Sequence, residues 1–283
     1  MTKFSTYIKR MFRFVIKGES KTYVRIDSVK QGDLLLNKNI VITGASSGIG
    51  YAIARKCLLE NGNVLCVARN SDKLIKAVET LKAETKSDKI KYLNWDIADI
   101  SMYKEKCHQA VGILGGRIDC LVNSAGITSP LNIENCTPDL WDEIFDINLK
   151  GLFFETSEFV KHFINQGTGG NIVMIASQAG LNAQTRPYAL SKAALIHLSN
   201  GLAKELITYN IRVNTIAPGP TVSEMCVVAP DGNLQGDGRG KRIFLPEEIA
   251  ETALFLLSNT SRCITGEVIT CNNGNSIRTD AFS

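Results

Sequence analysis

The chain has 283 residues, of which 44% are apolar and 21% charged, a composition typical of a soluble globular protein with one large or two small domains. Its net charge of +4 is concentrated at the N-terminus, because residues 1–30 carry eight Lys or Arg against two acids and the remaining chain is slightly acidic. A general nucleic-acid role is therefore not supported. No apolar run is long enough to span a membrane, and no secretory signal precedes residue 38.

Cysteine usage points to a reducing compartment. Eight cysteines are scattered along the chain without a C-x-x-C pair, so neither a zinc knuckle nor a thioredoxin-type motif is indicated. Most lie in apolar runs, as buried structural cysteines do. We expect a cytoplasmic protein and no metal site.

Residues 1–37 form a basic extension ahead of the regular pattern. Within residues 1–18, apolar residues recur at helical spacing among basic ones: Phe4, Tyr7, Ile8, Met11, Phe12 and Val15. This pattern favours an amphipathic segment that docks on the domain or another subunit, or stays partly disordered. Peripheral contact with a membrane surface is the alternative.

From residue 38 onward, Val- and Ile-rich strands alternate with amphipathic helices. Seven strands and the helices between them predict a single α/β domain over 38–283 with a Rossmann-type, doubly wound parallel sheet and helices on both faces. Residues 229–242 are rich in Gly and Asp and follow the sixth strand, so we expect a mobile substrate loop over 219–242.

The stretch TGASSGIG, residues 43–50, follows a predicted strand and opens a predicted helix. Glycines there permit a tight turn and close approach of the backbone to a pyrophosphate, and the helix N-terminus offers N–H groups to phosphates. The segment predicts a dinucleotide site. Its cofactor-binding residues are Gly44, Ser46, Ser47, Gly48, Ile49 and Gly50.

The end of the second strand indicates which dinucleotide is bound. An NAD site usually places an acid there, but residues 64–71 contain none, and Arg69 stands at the position instead. A guanidinium suits a 2′-phosphate, so NADP(H) is favoured over NAD(H). Asp96 and Ile97 follow the third strand and are expected to contact the adenine; a simple turn role for Asp96 is the alternative.

Four polar residues are candidates for catalysis. Asn148 stands inside a predicted helix, where Asn is locally disfavoured, and Ser177 ends the fifth strand. Tyr188 and Lys192 lie four residues apart behind Pro187, hence on one helical face. A nearby ammonium lowers the pKa of a phenol, which is ordinarily about 10.

Together these residues resemble the short-chain dehydrogenase/reductase family. The glycine motif at 43–50 is followed in the family's order by Asn123-Ser124-Ala125-Gly126, by Asn148, Ser177, Tyr188 and Lys192, and by Pro218-Gly219. NSAGIT and INLKG are similar to the 3-oxoacyl-carrier-protein reductases. Ser124 for the family's second Asn, CNNGN for its C-terminal DGG, and the basic extension depart from the pattern.

The resemblance implies hydride transfer between a nicotinamide and a ketone or secondary alcohol, without a metal. It assigns proton donation to Tyr188, hydrogen bonding of the substrate oxygen to Ser177, ribose binding and pKa lowering to Lys192, and the placing of a water to Asn148. It adds Asn123, Ala125, Gly126, Pro218, Gly219 and, with less weight, Ser223 to the cofactor site. It also implies a homotetramer or dimer.

The substrate stays open at this level. A small-molecule carbonyl or alcohol is expected, with a 3-oxoacyl-carrier-protein or a sugar or polyol as alternatives. A non-catalytic dinucleotide-binding sensor or scaffold is the competing class of function, and the complete set of four polar residues argues against it.

Overall fold

The computed structural model describes residues 32–223, 234 and 242–277. The amphipathic segment 1–18 and most of the loop 219–242 therefore lie outside the described residues, and their predictions stay predictions. In the described part of the chain, no helix is both long and apolar enough to cross a membrane.

The described residues form seven strands and seven α-helices. The strands are β1 (Asn39–Thr43), β2 (Asn63–Ala68), β3 (Ile90–Asn94), β4 (Cys120–Asn123), β5 (Gly170–Ile175), β6 (Ile211–Pro218) and β7 (Val268–Cys271). The helices are α1 (Gly48–Leu59), α2 (Ser71–Thr85), α3 (Tyr103–Ile113), α4 (Pro138–Phe145), α5 (Leu152–Gln166), α6 (Pro187–Leu206) and α7 (Pro246–Leu257). A π-helical turn, Asp146–Gly151, joins α4 to α5.

All seven strands are parallel, in the order β3-β2-β1-β4-β5-β6-β7. The order reverses between β1 and β4, which are paired neighbours, so their carboxyl ends meet at a topological switch point. Thr43, the last residue of β1, pairs with Val67 on one side and Asn123 on the other. Ligands bind at such switch points in open α/β sheets. The predicted fold class is confirmed.

Alternate residues of each strand enter two separate cores. In β1, Ile40 and Ile42 pack beneath α1, α2 and α7, whereas Val41 faces the opposite side with α3, α5 and α6. Because the sheet is covered on both faces, its strands are continuous apolar runs, as the sequence indicated.

The helix ends follow local chemistry. Asn70 caps α2 by accepting a hydrogen bond from Lys73 N at 2.9 Å, and Thr137 caps α4 in front of Pro138. Pro187 begins α6, since a proline at the first helical position loses no intrahelical hydrogen bond. The predicted start of the helix that carries Tyr188 is thus observed.

One carboxyl is buried without a partner in the part of the chain that the structure describes. Glu155, on α5, is fully buried, and neither of its carboxylate oxygens has a hydrogen-bond partner among the described residues. Burial raises the pKa of this carboxyl well above its usual range. Burial therefore favours the protonated, neutral form of the side chain in the folded protein, and above the pKa of the unfolded carboxyl this shift costs folding free energy.

We expect Glu155→Gln to raise the melting temperature by a few degrees at pH 7. The unfolded carboxyl ionises near pH 4.3, about the value of a free glutamic acid, whereas the folded one stays neutral, so native stability falls as pH rises above that value. Thermal melts from pH 4 to 8 should show the gain growing with pH. Glu158→Gln, which breaks a surface pair with Lys161, is the control, and a gain independent of pH contradicts the argument.

Candidate active site

A cavity of about 730 Å³ opens at the carboxyl edge of the sheet, over the switch point between β1 and β4. It gathers most of the predicted residues from separate parts of the chain. Those lining it are Gly44, Ser46, Ser47, Gly48, Ile49, Gly50, Arg69, Asp96, Ile97, Ala125, Gly126, Tyr188, Lys192 and Ser223.

The glycine turn is closed by backbone contacts that exclude side chains. A Cβ at Gly44 would lie 2.8 Å from the backbone of Ala125, and one at Gly50 would lie 2.3 Å from the Gly44 carbonyl oxygen. Gly44 and Gly48 also have φ values of +69° and +56°. These contacts set the N-terminus of α1 at the cavity wall, where its free N–H groups suit a pyrophosphate.

The far end of the cavity carries two cations. Arg69, at the end of β2, is exposed, and Lys73, in the first turn of α2, lies beside it in the lining. Lys73 was not predicted, although a basic residue in the first turn of that helix was visible in the sequence. Asp96 also lines this end, and its carboxylate accepts a hydrogen bond from Ala98 N at 3.1 Å, the turn role considered above.

Asn148 connects the π-helical turn to the loop after β4. Its side-chain oxygen accepts from Ile127 N at 2.8 Å, and its amide donates to Ile127 O at 2.9 Å and Ser191 Oγ at 3.1 Å. Asn148 is fully buried. Asparagine is unfavourable in a regular α-helix, but Asn148 lies in the wider π-helical turn, and such turns are common at functional sites.

A second glycine permits that widened turn. A Cβ at Gly151 would stand 2.0 Å from the carbonyl oxygen of Ile97, so the turn packs directly on the loop after β3. Gly151 was not singled out from the sequence, because its contact is with a residue 54 positions earlier.

Tyr188 and Lys192 both line the cavity, whereas Ser177 does not. Ser177 is close enough to the Tyr188 hydroxyl to lower its pKa. The Lys192 ammonium lies 5.9 Å from the centre of the Tyr188 ring and donates to Ile175 O at 3.0 Å. A Cβ at Gly126 would lie 3.2 Å from Lys192 Nζ, so this glycine keeps the approach to the ammonium open.

Burial dominates the ionisation of these groups. It raises the pKa of Tyr188 above its usual 10, and the nearby Ser177 side chain and the charge of Arg186 only partly offset the rise. Burial also lowers the pKa of Lys192 to about 8. Among the described residues, the groups that lower the pKa of Tyr188 are Ser177 and Arg186. The expectation that Lys192 depresses this pKa stays a prediction.

Three predicted cofactor residues do not line the cavity. The Asn123 side chain is fully buried and donates to Thr156 Oγ1 at 2.8 Å, and this hydrogen bond links β4 to α5. Pro218 ends β6, and a Cβ at Gly219 would meet the Phe244 ring at 2.8 Å, so this glycine accommodates packing beside β7. Their assignment to the cofactor stays a prediction, and the described contacts give their side chains a packing role.

The divergent C-terminal segment CNNGN also reaches the site. Asn275 donates to Gln178 Oε1 at 3.0 Å, in the turn that follows Ser177. A contact across 97 positions leaves no local signal in the sequence.

The fold and this arrangement define a dinucleotide-dependent oxidoreductase. Residues 38–232 match the family model described as short chain dehydrogenase, and the chain belongs to the short-chain dehydrogenase/reductase family, whose members act on CH–OH groups with a nicotinamide dinucleotide.

Individual relatives differ in their named substrates. The chain is 36% identical over 249 residues to the 3-oxoacyl-(acyl-carrier-protein) reductase FabG of Thermotoga maritima, covering 85% of this chain and 98% of that protein. It is 32% identical to an NAD-dependent glycerol dehydrogenase of Listeria innocua, over 86% and 96% of the two chains. A short-chain type dehydrogenase/reductase from Mycobacterium marinum has a similar structure, with a TM-score of 0.78, 30% identity, and coverage of 86% and 97%.

We expect Asn148→Ala to lower the free energy of unfolding by about 2 kcal/mol, because the N–H and C=O of Ile127 both lose their partner. Chemical denaturation measures the change. Ser191→Ala, which removes only one of the three contacts, is the control and should cost about 1 kcal/mol. Equal losses in the two variants would contradict the role of Asn148 as the link between its turn and Ile127.

Proposed function

We propose that the protein is an NADP(H)-dependent oxidoreductase that interconverts a ketone and a secondary alcohol, with Tyr188 as proton donor and acceptor. One observation carries the proposal: Tyr188 and Lys192 line the same cavity as the glycine turn, with the Lys192 ammonium 5.9 Å from the centre of the Tyr188 ring. The site thus combines a dinucleotide cradle with a proton donor.

The lining fits a dinucleotide along its whole length. The turn 44–50 and the N-terminus of α1 are assigned to the pyrophosphate, Arg69 and Lys73 to a 2′-phosphate, and Asp96 with Ile97 to the adenine. Ala125 and Gly126 leave room beside Lys192, and Ser223 is assigned to the carboxamide. When bound, the nicotinamide supplies or accepts the hydride.

The chain's own groups move the proton. Tyr188 is neutral at pH 7 because its pKa is raised, so it holds the proton that a carbonyl oxygen needs on reduction. The Ser177 hydroxyl is assigned to hydrogen-bond the same oxygen. Lys192, with a pKa of about 8, exchanges a proton near neutral pH more readily than an ordinary lysine. Asn148 is proposed to place a water beside it.

We expect Tyr188→Phe to lower kcat by about 100-fold or more, since general acid catalysis contributes about that much. A panel of ketones with NADPH, and alcohols with NADP⁺, gives the measurement. Tyr92→Phe, at an exposed tyrosine on β3, is the matched control. Turnover that survives in Tyr188→Phe overturns the assigned role. Nucleotide binding by the wild type without any turnover favours the sensor or scaffold function instead.

We expect Arg69→Ala to weaken NADPH binding by about 10- to 100-fold and NADH binding much less, because only NADPH carries the 2′-phosphate. Fluorescence titration of both nucleotides provides the comparison. The control is Arg55→Ala, which removes an exposed arginine paired with Glu84 outside the cavity. An equal loss for both nucleotides refutes the preference for NADP(H).

Assembly and location are proposed from the sequence and the family. We propose a homotetramer or dimer in the cytoplasm, with residues 1–18 making a subunit contact or a peripheral contact with a membrane. A 3-oxoacyl-carrier-protein is the first alternative among specific substrates, because the FabG relative is named for it.

A further inference from the structure

The C-terminal segment after β7 reaches the turn that follows β5. In the sheet β6 lies between these two strands, so the segment spans the end of β6. Asn273 and Gly274 both have left-handed backbone, with φ values of +51° and +76°, and Asn275 N donates to Asn272 O at 3.1 Å. Glycine and asparagine adopt this conformation most readily. The CNNGN sequence therefore forms a tight turn that presents Asn275 at the carboxyl edge of the sheet.

Asn275 makes a side-chain hydrogen bond there. Its Nδ2 donates to Gln178 Oε1 at 3.0 Å, and both side chains are half-buried. Gln178 begins a short 3₁₀ helix, Gln178–Leu181, that directly follows Ser177. A half-buried hydrogen bond is stronger than one in open water, because the local dielectric constant is lower. The bond therefore restrains the position of the 3₁₀ helix.

Ser177 is the N-cap residue of this 3₁₀ helix. Its Oγ accepts a hydrogen bond from Ala179 N at 3.1 Å, and its carbonyl oxygen accepts one from Gly180 N at 3.0 Å. A hydroxyl has one O–H donor besides its acceptor lone pairs, so the capping bond leaves the Ser177 O–H to donate. The position of the 3₁₀ helix thus sets the direction of that donor.

The same 3₁₀ helix packs on the helix that carries Tyr188 and Lys192. A Cβ at Gly180 would lie 2.7 Å from the backbone of both Lys192 and Ala193, so the two backbones are in direct contact. Lys192 lines the cavity and donates from Nζ to Ile175 O, at the end of β5, at 3.0 Å. A displacement of the 3₁₀ helix therefore moves the Ser177 hydroxyl relative to the groups on α6.

We propose that Asn275 is a positioning residue, whose hydrogen bond to Gln178 holds the 3₁₀ helix, and with it the Ser177 hydroxyl, against α6. This inference rests on the proposed function, because it affects catalysis only where Ser177 hydrogen-bonds the substrate oxygen. Asn275 is not among the residues that line the cavity, so it acts through the orientation of Ser177. A misplacement of about 1 Å can lower a rate about 100-fold.

Removal of either amide tests this role in the full-length protein. We expect Asn275→Ala to lower kcat for ketone reduction with NADPH by about 10-fold and to change the Kd of NADPH by less than about twofold, because the 3₁₀ helix does not hold the dinucleotide. Gln178→Ala should have the same effect. The double variant should be no worse than either single variant, since each removes the same bond.

A matched control removes a similar bond away from the site. Asn63 Nδ2 donates to Asn39 Oδ1 at 2.9 Å, where β1 and β2 begin, at the edge of the sheet opposite the cavity. We expect Asn63→Ala to leave kcat unchanged. A fall in kcat as large as that of Asn275→Ala would assign the effect to lost stability and overturn the proposal.

Isosteric carboxylates separate positioning from a general loss of stability. Asn275→Asp and Gln178→Glu each keep an amide donor opposite an oxygen acceptor, so each should keep kcat within about threefold of the wild type. The variant with both changes has two carboxylates at neutral pH and should lose about 10-fold. Like charge raises the pKa of one carboxyl, so its kcat relative to the wild type should recover between about pH 7 and about pH 5. A loss that does not depend on pH overturns the proposal.

Hydrogen exchange separates this inference from the proposed reaction. Exchange of the Ala179 and Gly180 amides, which donate to Ser177, needs neither substrate nor turnover. Exchange about 10-fold faster in Asn275→Ala, and unchanged in Asn63→Ala, supports the positioning role even where no ketone is reduced. Equal exchange in Asn275→Ala and the wild type overturns it, whatever the kinetics show. A wild type without turnover counts against the proposed function alone.

Discussion

The close approach of two backbone turns at the carboxyl edge of the sheet is the constraint on which the site depends. Gly44 after β1 lies against Ala125 after β4, at a distance that leaves no room for a Cβ. The parallel register of β1 and β4 makes this contact possible, since Thr43 and Asn123 end their strands side by side. This contact fixes the N-terminus of α1 relative to the loop after β4.

Polar side chains connect the loop after β4 to the part of the cavity that Tyr188 and Lys192 line. Asn148 clamps Ile127, three residues after the Ser124 turn, and contacts Ser191, one residue before Lys192. The π-helical turn gives Asn148 this position, and Gly151 lets the turn sit against the loop after β3. The loops after β3 and β4 are thereby mechanically connected.

Burial decides the protonation of Tyr188 and Lys192 more than their mutual attraction does. Tyr188 keeps its proton and Lys192 gives up its own more easily, both because the charged forms are desolvated. The charge that opposes this at Tyr188 comes from Arg186, outside the family's four polar residues.

The sequence by itself determined the alternation of strands and helices, the glycine turn, and the order of the polar residues, because these depend on local periodicity and spacing. It also identified Arg69 as a candidate for the cofactor site, since the absence of an acid from residues 64–71 is visible in the sequence. Lys73 lies only four residues after Arg69 and also lines the cavity, but it was not predicted from the sequence.

Only the tertiary structure decided which polar residues face the cavity. Strand pairing and helix packing set the direction of each side chain. The packing contacts therefore take in Asn123, Pro218 and Gly219, and the side chain of Asn148 hydrogen-bonds the backbone of Ile127. The direction of the Tyr188 pKa shift was likewise undecidable from spacing, since desolvation depends on atoms far away in the sequence.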